Sequence, residues 1–124
     1  MSAAHVHFFF SMREQIKLYH WQTKSYSRHK ATDEVISKID EISDEFVETY
    51  MGKYGRPHMT PKTNTIRITN LSESGIVKFV KECISDLQGP ITKTLDATKD
   101  TDLLNLRDEL LGELNKLLYL FTLH

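Results

Sequence analysis

Four residues of types that bind transition metals fall on one stripe of a predicted helix: His29, Asp33, Asp40 and Asp44. At about 100° per residue, the other three lie within about 40° of Asp33. His29 and Asp33 are four residues apart, as are the other two aspartates, so the side chains of each pair point the same way. An imidazole nitrogen with carboxylate oxygens suits iron, zinc or manganese better than calcium. The pattern indicates a metal site, which His20, near the end of the preceding helix, can approach.

The same residues also have ordinary structural explanations. Pairs such as His29 and Asp33 are common on solvated helix faces, and an acid near a helix start favours the helix dipole. His20 suits a buried position in a helical core. Two aspartates at this spacing repel each other by roughly a few tenths of a kcal/mol, so we expect a cation or a basic side chain beside Asp40 and Asp44. Spacing alone leaves both interpretations open.

Apolar residues recur at helical spacing over most of the chain, and the helices that this pattern predicts carry the candidate ligands. The predicted helices cover residues 3–26, 30–51, 71–88 with an extension to 95, and 101–122. Gly52 is expected to end the second helix, and Asn70 with Glu73 has the spacing of a capping box at the third. Residues 53–69 contain Gly55, Pro57 and Pro61, which predicts a long crossover rather than a tight turn. We therefore expect residues 1–124 to form one all-α domain, a four-helix bundle with a crossover between helices 2 and 3, as in ferritin-like folds.

Composition excludes several classes of function. The chain has 124 residues with 16 Lys+Arg against 17 Asp+Glu, a formal charge of −1 that gives no strong nucleic-acid signal. The single cysteine, Cys83, cannot form a disulfide framework, and its apolar neighbours predict an inert core thiol. Neither a basic leader nor an apolar run long enough to span a bilayer is found. These features predict a cytoplasmic protein with no signal peptide, transmembrane segment or membrane partner.

The first predicted helix is apolar on two sides. One side carries Phe9, Met12 and Ile16, and another carries Phe10 and Trp21. A helix that meets water on one face does not need a second apolar side. We therefore expect a homo-oligomer, at least a dimer, that associates through helices 1 and 2.

The segments YHWQTKSYSRHKATD at 19–33 and IDEISD at 39–44 resemble the first half of the Dps mini-ferritins, members of the ferritin-like superfamily. The resemblance covers residues 16–46. It implies a ferroxidase site between two subunits that binds iron, as Fe2+ and Fe3+ and as a di-iron pair, with zinc or manganese as substitutes. Fe(II) would be oxidised with O2 or peroxide, with no catalytic residue beyond the metal ligands. The implied ligands are His20, His29 and Asp33 from one chain and Asp40 and Asp44 from its two-fold mate.

Helices 3 and 4 contain no histidine before His124, so they cannot supply the Glu-x-x-His ligands from which ferritins build a site within one chain. A site that uses only the first two helices remains consistent with the sequence. The whole chain also resembles short uncharacterised proteins of marine large DNA viruses and phages, which would place it in the host cytoplasm. The two apolar sides of helix 1 favour an alternative function, a non-enzymatic helical interaction or virion-associated protein that keeps the bundle without the metal site.

Overall fold

The computed structural model describes residues 3–124, which form four α-helices. The helices are α1 (Ala4–Gln22), α2 (Tyr26–Tyr54), α3 (Glu73–Asp86) and α4 (Thr101–Leu120), and a π-helical turn, Leu87–Ile91, directly follows α3. No β-strand occurs among these residues, so the predicted all-α four-helix architecture is confirmed. Met1 and Ser2, the first two residues of the predicted domain, lie outside the described range.

The crossover between α2 and α3 determines the helix directions. α1 and α2 form an antiparallel hairpin, joined by residues 23–25. The chain from 55 to 72 then returns along α1, as three hydrogen bonds show: His7 Nε2 to the Thr65 carbonyl (2.7 Å), Gln15 Nε2 to the Thr69 carbonyl (2.8 Å), and the Tyr19 hydroxyl to Glu73 (2.7 Å). α3 therefore starts beside the α1–α2 turn, and α4 starts at the opposite end of the bundle. Consequently α1 and α4 run one way, and α2 and α3 run the other.

The core lies where the apolar stripes of the helices meet. Each helix contributes fully buried side chains, among them Met12, Ile16, Ile39, Phe46, Ile76, Val80, Leu103 and Leu114. Full burial of one such side chain is worth about 1.5–3 kcal/mol relative to its exposure, so this packing holds the helices together. In the described part of the chain, none of the helices has both the length and the apolar character needed to cross a membrane.

α2 is longer at both ends than the sequence predicts. It begins at Tyr26 because the Ser25 hydroxyl accepts a hydrogen bond from the Arg28 amide (3.3 Å) and caps the helix. The prediction that Gly52 ends the helix is wrong. A glycine inside a helix costs only about 1 kcal/mol relative to alanine, and α2 continues to Tyr54; the next residue, Gly55, has a φ of 85°, which favours glycine. The extra turn at the start places His29 inside the helix with Asp33.

α3 also starts differently from the prediction. Ser72 is the N-cap and accepts a hydrogen bond from the Gly75 amide (3.0 Å), so the predicted capping box at Asn70 is wrong. Asn70 instead accepts a hydrogen bond from Gln22 (2.7 Å), a contact that depends on the packing of the crossover against α1. The predicted extension of this helix to residue 95 is interrupted by the π-helical turn, which contains Pro90, because proline lacks the amide hydrogen that a continuous α-helix needs; helical backbone resumes at residues 92 and 93 and stops before 95.

Candidate metal ligands at the α1–α2 turn

Two predicted ligands, His20 and His29, face each other across the α1–α2 turn. Their rings stack with centroids 3.9 Å apart and an interplanar angle of 17°. His20 Nδ1 lies 2.8 Å from the carbonyl oxygen of His29, and His29 Nδ1 lies 2.9 Å from the carbonyl oxygen of His20. A carbonyl only accepts, so both Nδ1 atoms carry the hydrogen. In the neutral ring this leaves the lone pair on Nε2, the atom that can bind a metal.

Thr32 contacts the ring of His20 and was not among the predicted site residues. It is fully buried, its hydroxyl donates to the Arg28 carbonyl (2.7 Å), and its Oγ1 lies 2.9 Å from His20 Nδ1. The signal in the sequence is its position three residues after His29, on the side of α2 that faces the core. Metal-binding histidines commonly donate their second ring nitrogen to such fixed oxygens, which sets ring orientation and tautomer.

The environment of His20 keeps its ring neutral. Its side chain is buried, and burial lowers the pKa of His20 below its ordinary value of 6.5, with a further lowering by the neighbouring His29. The pKa of His5, which lies against Phe9, Phe46 and Tyr50, is also lowered by burial. Near pH 7 the neutral ring of His20 therefore keeps its Nε2 lone pair available for a metal ion.

Acidification should destabilise the protein through His20. Above the unfolded-state pKa of about 6.5 the ring is neutral in both states. Below it the unfolded chain binds a proton that the folded chain resists, so stability falls as the pH drops from about 6.5 towards the folded-state pKa. Urea unfolding at pH 7 and pH 5 measures this loss, which should be smaller in His20→Gln than in the wild type. An equal loss in both proteins would show that His20 is not responsible.

The three predicted aspartate ligands are all exposed and differ in their partners. Asp33 lies one turn beyond His29 on α2. Asp40 is held by Arg13, whose Nε donates to Oδ1 (2.8 Å) and whose Nη2 donates to Oδ2 (3.3 Å). This confirms the expected basic neighbour of Asp40. Asp44 makes no ion pair within residues 3–124 and lines a groove with Phe10 and other residues of α1 and α2.

One chain does not assemble the predicted ligand set. Asp44 lies 11 residues after Asp33, or about 16 Å further along α2 at about 1.5 Å per residue. Among residues 3–124 there is no group of three or more His, Cys, Asp and Glu side chains that could hold a metal ion. The structure therefore brings His20 and His29 together and leaves Asp40 and Asp44 apart from them. A shared site needs these carboxylates from a second copy, as the prediction states.

Cys83 is not an additional ligand. It is buried on the inner face of α3. Burial, together with the nearby Asp86 and Glu82, raises the pKa of its thiol to about 12. The neutral thiol agrees with the predicted core position, because metals bind the thiolate form.

Comparison with known proteins gives a family and a phage relative. A family described as "Family of unknown function (DUF5856)" matches residues 20–121, from His20 to the end of the bundle. The chain is 46% identical over 39 residues to the "Uncharacterized 14.6 kDa protein in mobD-ri intergenic region" of Enterobacteria phage T4. That match covers 32% of this chain and 30% of the phage protein. No solved structure matches the chain significantly. The predicted resemblance to phage proteins is thus confirmed over part of the chain, whereas the resemblance to Dps stays a prediction.

Proposed function

We propose that this chain, which belongs to the DUF5856 family of unknown function, binds Fe(II) at a site shared by two copies and oxidises it with O2 or peroxide, as a Dps-like mini-ferritin. The observation that carries the proposal is the reciprocal hydrogen bonding of the stacked His20 and His29 rings, which leaves a lone pair on the Nε2 atom of each neutral ring. Iron is the substrate of this reaction, with zinc or manganese as substitutes at the same donors.

The first chain supplies nitrogen donors and one carboxylate. Each histidine donates its Nδ1 hydrogen to a backbone carbonyl, the support that metal-binding histidines typically have. Asp33 follows His29 by one turn on the same helix, so its carboxylate can approach the same ion. Because burial lowers the pKa of His20, this nitrogen donor does not have to lose a proton near pH 7.

The second chain supplies further carboxylates from the middle of α2. Arg13 already neutralises Asp40, which would have to release that ion pair before it bound a metal. Asp44 and Glu48 are exposed, are one turn apart, and form no ion pair within residues 3–124. We therefore assign Asp44 with Glu48 as the main carboxylates. Their charge offsets the positive charge that iron gains when it becomes ferric.

The path of the chain supports a ferritin-like bundle. A single long crossover joins α2 to α3, and α1 runs parallel to α4, as in bundles of the ferritin-like type. All proposed donors lie on α1 and α2, so the site needs nothing from the histidine-free helices α3 and α4.

Anaerobic titration with Fe(II), followed by addition of O2, tests the proposal. The wild type should bind iron and develop ferric absorbance, whereas Asp33→Ala/Asp44→Ala should bind at least about tenfold more weakly and lose most of that signal. Glu82→Ala/Glu109→Ala removes two exposed carboxylates from α3 and α4 and serves as the matched control. If both double variants behave like the wild type, the ferroxidase proposal fails.

A comparison of single variants tests the choice of carboxylates. Glu48→Ala should weaken Fe(II) binding more than Asp40→Ala does, because only Asp40 is engaged by Arg13. The reverse order would return Asp40 to the ligand set.

The second candidate is a non-enzymatic helical interaction or virion-associated protein. It is favoured by contacts that join α1 to α2 without a metal, namely the His20–His29 stack and the Arg13–Asp40 pair. In this case the histidines only lock the hairpin. The iron titration would then show no binding that depends on Asp33 or Asp44.

A further inference from the structure

The outward face of the α1–α2 hairpin exposes large aromatic side chains. Trp21 is 68% exposed, Tyr26 75% and Phe10 51%. Phe10 and Trp21 are 11 residues apart and therefore lie on the same side of α1, away from the core. Tyr26 begins α2 next to the turn. Large exposed apolar side chains grouped on one face indicate a protein contact surface.

Charge is unevenly distributed along this hairpin face. We call Lys17 and Lys30 the basic end, because both lie near the α1–α2 turn, with Nζ atoms 5.2 Å from the Trp21 ring and 5.8 Å from the Tyr26 ring respectively. Asp44 and Glu48 form the acidic end, about 20 Å further along α2. None of these four charges forms an ion pair within residues 3–124.

Such a face is complementary to a second copy of itself in one orientation. In a two-fold symmetric dimer whose axis is perpendicular to the helices, the paired helices run antiparallel, so each end of the face meets the opposite end of the partner. Parallel docking would place like charges together. Antiparallel docking brings the basic end of each chain to the acidic end of the other and thereby forms two equivalent contacts.

We infer that a second copy of this chain docks antiparallel on this face, with the ring of Trp21 from each chain in the groove beside Phe10 and Val47 of the other. That groove lies between α1 and α2 and includes Asp44 at its acidic end. The dimer is the assembly that the proposed iron site requires. The inference rests on the proposed function only for the choice of a second copy as the partner that covers this face. The charges and the exposed aromatic side chains are present without a metal.

Two charge-reversal variants test the orientation. Lys17→Glu/Lys30→Glu makes both ends acidic, and Asp44→Lys/Glu48→Lys makes both ends basic. Each variant alone should be monomeric at low ionic strength, whereas an equimolar mixture should form a heterodimer whose mass matches the wild-type dimer. Sedimentation velocity or light scattering in EDTA gives the masses, and circular dichroism checks the fold. If the mixture stays monomeric, or the wild type is monomeric at all concentrations, the inference is overturned.

The aromatic contact has its own control. Trp21→Ala should raise the dimer dissociation constant at least about tenfold, because buried tryptophans are frequent hot spots of interfaces. Tyr119→Ala removes an aromatic ring that is 62% exposed on α4 and should leave the dissociation constant unchanged. Equal effects of the two variants would contradict the assigned face. Because these measurements exclude metal, a wild-type dimer whose iron binding ignores Asp33 and Asp44 would overturn the proposed function and leave this interface intact.

Discussion

Replacement of Asp100 by alanine should lower the free energy of unfolding by about 3 kcal/mol, since it removes a buried carboxylate on which several donors converge. Asp100 is 1% exposed, at the start of α4. Its Oδ1 accepts hydrogen bonds from the Tyr54 hydroxyl and from Lys53 Nζ (3.2 Å), and its Oδ2 accepts one from the Asp96 amide (2.7 Å). The variant would remove this acceptor from the Tyr54 hydroxyl and the Asp96 amide, while Lys53 would keep its contact with Asp102 (2.7 Å), and the contact between the end of α2 and the start of α4 would loosen.

The pH dependence identifies the carboxylate as the cause. Burial acts to raise the pKa of Asp100, but the hydrogen bonds from Asp96, Tyr54 and Lys53 outweigh it, and the net pKa lies below its ordinary value of 3.8. The stabilisation is therefore present above about pH 4 and is lost as the pH falls through the folded-state pKa. Urea unfolding of Asp100→Asn should show a deficit at pH 7 that shrinks below pH 4. Asp108→Ala, at an exposed position of the same helix, should change stability by less than about 0.5 kcal/mol; a similar loss there would rule out a specific role of Asp100.

Replacement of Arg28 by alanine should lower the free energy of unfolding by about 3 kcal/mol. Arg28 lies at the end of the bundle opposite Asp100, and its guanidinium joins α1, the start of α3 and the residue that follows α4. Arg28 donates to the Tyr19 hydroxyl (3.0 Å), to the Glu73 carbonyl (2.7 Å) and to the Phe121 carbonyl (3.1 Å). Its guanidinium also lies 4.6 Å from the centroid of the Phe121 ring. These contacts hold the helix that carries His29.

Lysine should recover only part of the lost stability. Its ammonium is a point charge and cannot reproduce the planar fork that reaches several acceptors at once. Thermal or urea unfolding of Arg28→Ala and Arg28→Lys measures the difference, and Arg67→Ala on the exposed crossover is the control for loss of an arginine. If Arg28→Lys is as stable as the wild type, charge alone accounts for the role of Arg28.

Local patterns in the sequence determined the helices and most of the core. Apolar residues repeat at helical spacing along each helix, for example Ile39 and Phe46 on α2 and Leu103 and Leu114 on α4. All four of these side chains are buried. The crossover was equally predictable, since Pro57 and Pro61 interrupt helical periodicity within one short segment. These features depend on neighbours a few residues apart, and such neighbours are visible in a single sequence.

Tertiary structure alone decided the polar contacts between the helices. Asn70 has the spacing of a capping residue, but it accepts a hydrogen bond from Gln22 of α1 and Ser72 caps α3. The stack of His20 on His29, the ion pair of Arg13 with Asp40 and the burial of Asp100 bring together side chains that are distant in the sequence or lie on different helices. Residue spacing placed the candidate donors on common faces, but only the packed hairpin fixed which ring nitrogens carry hydrogen and which carboxylate is already neutralised.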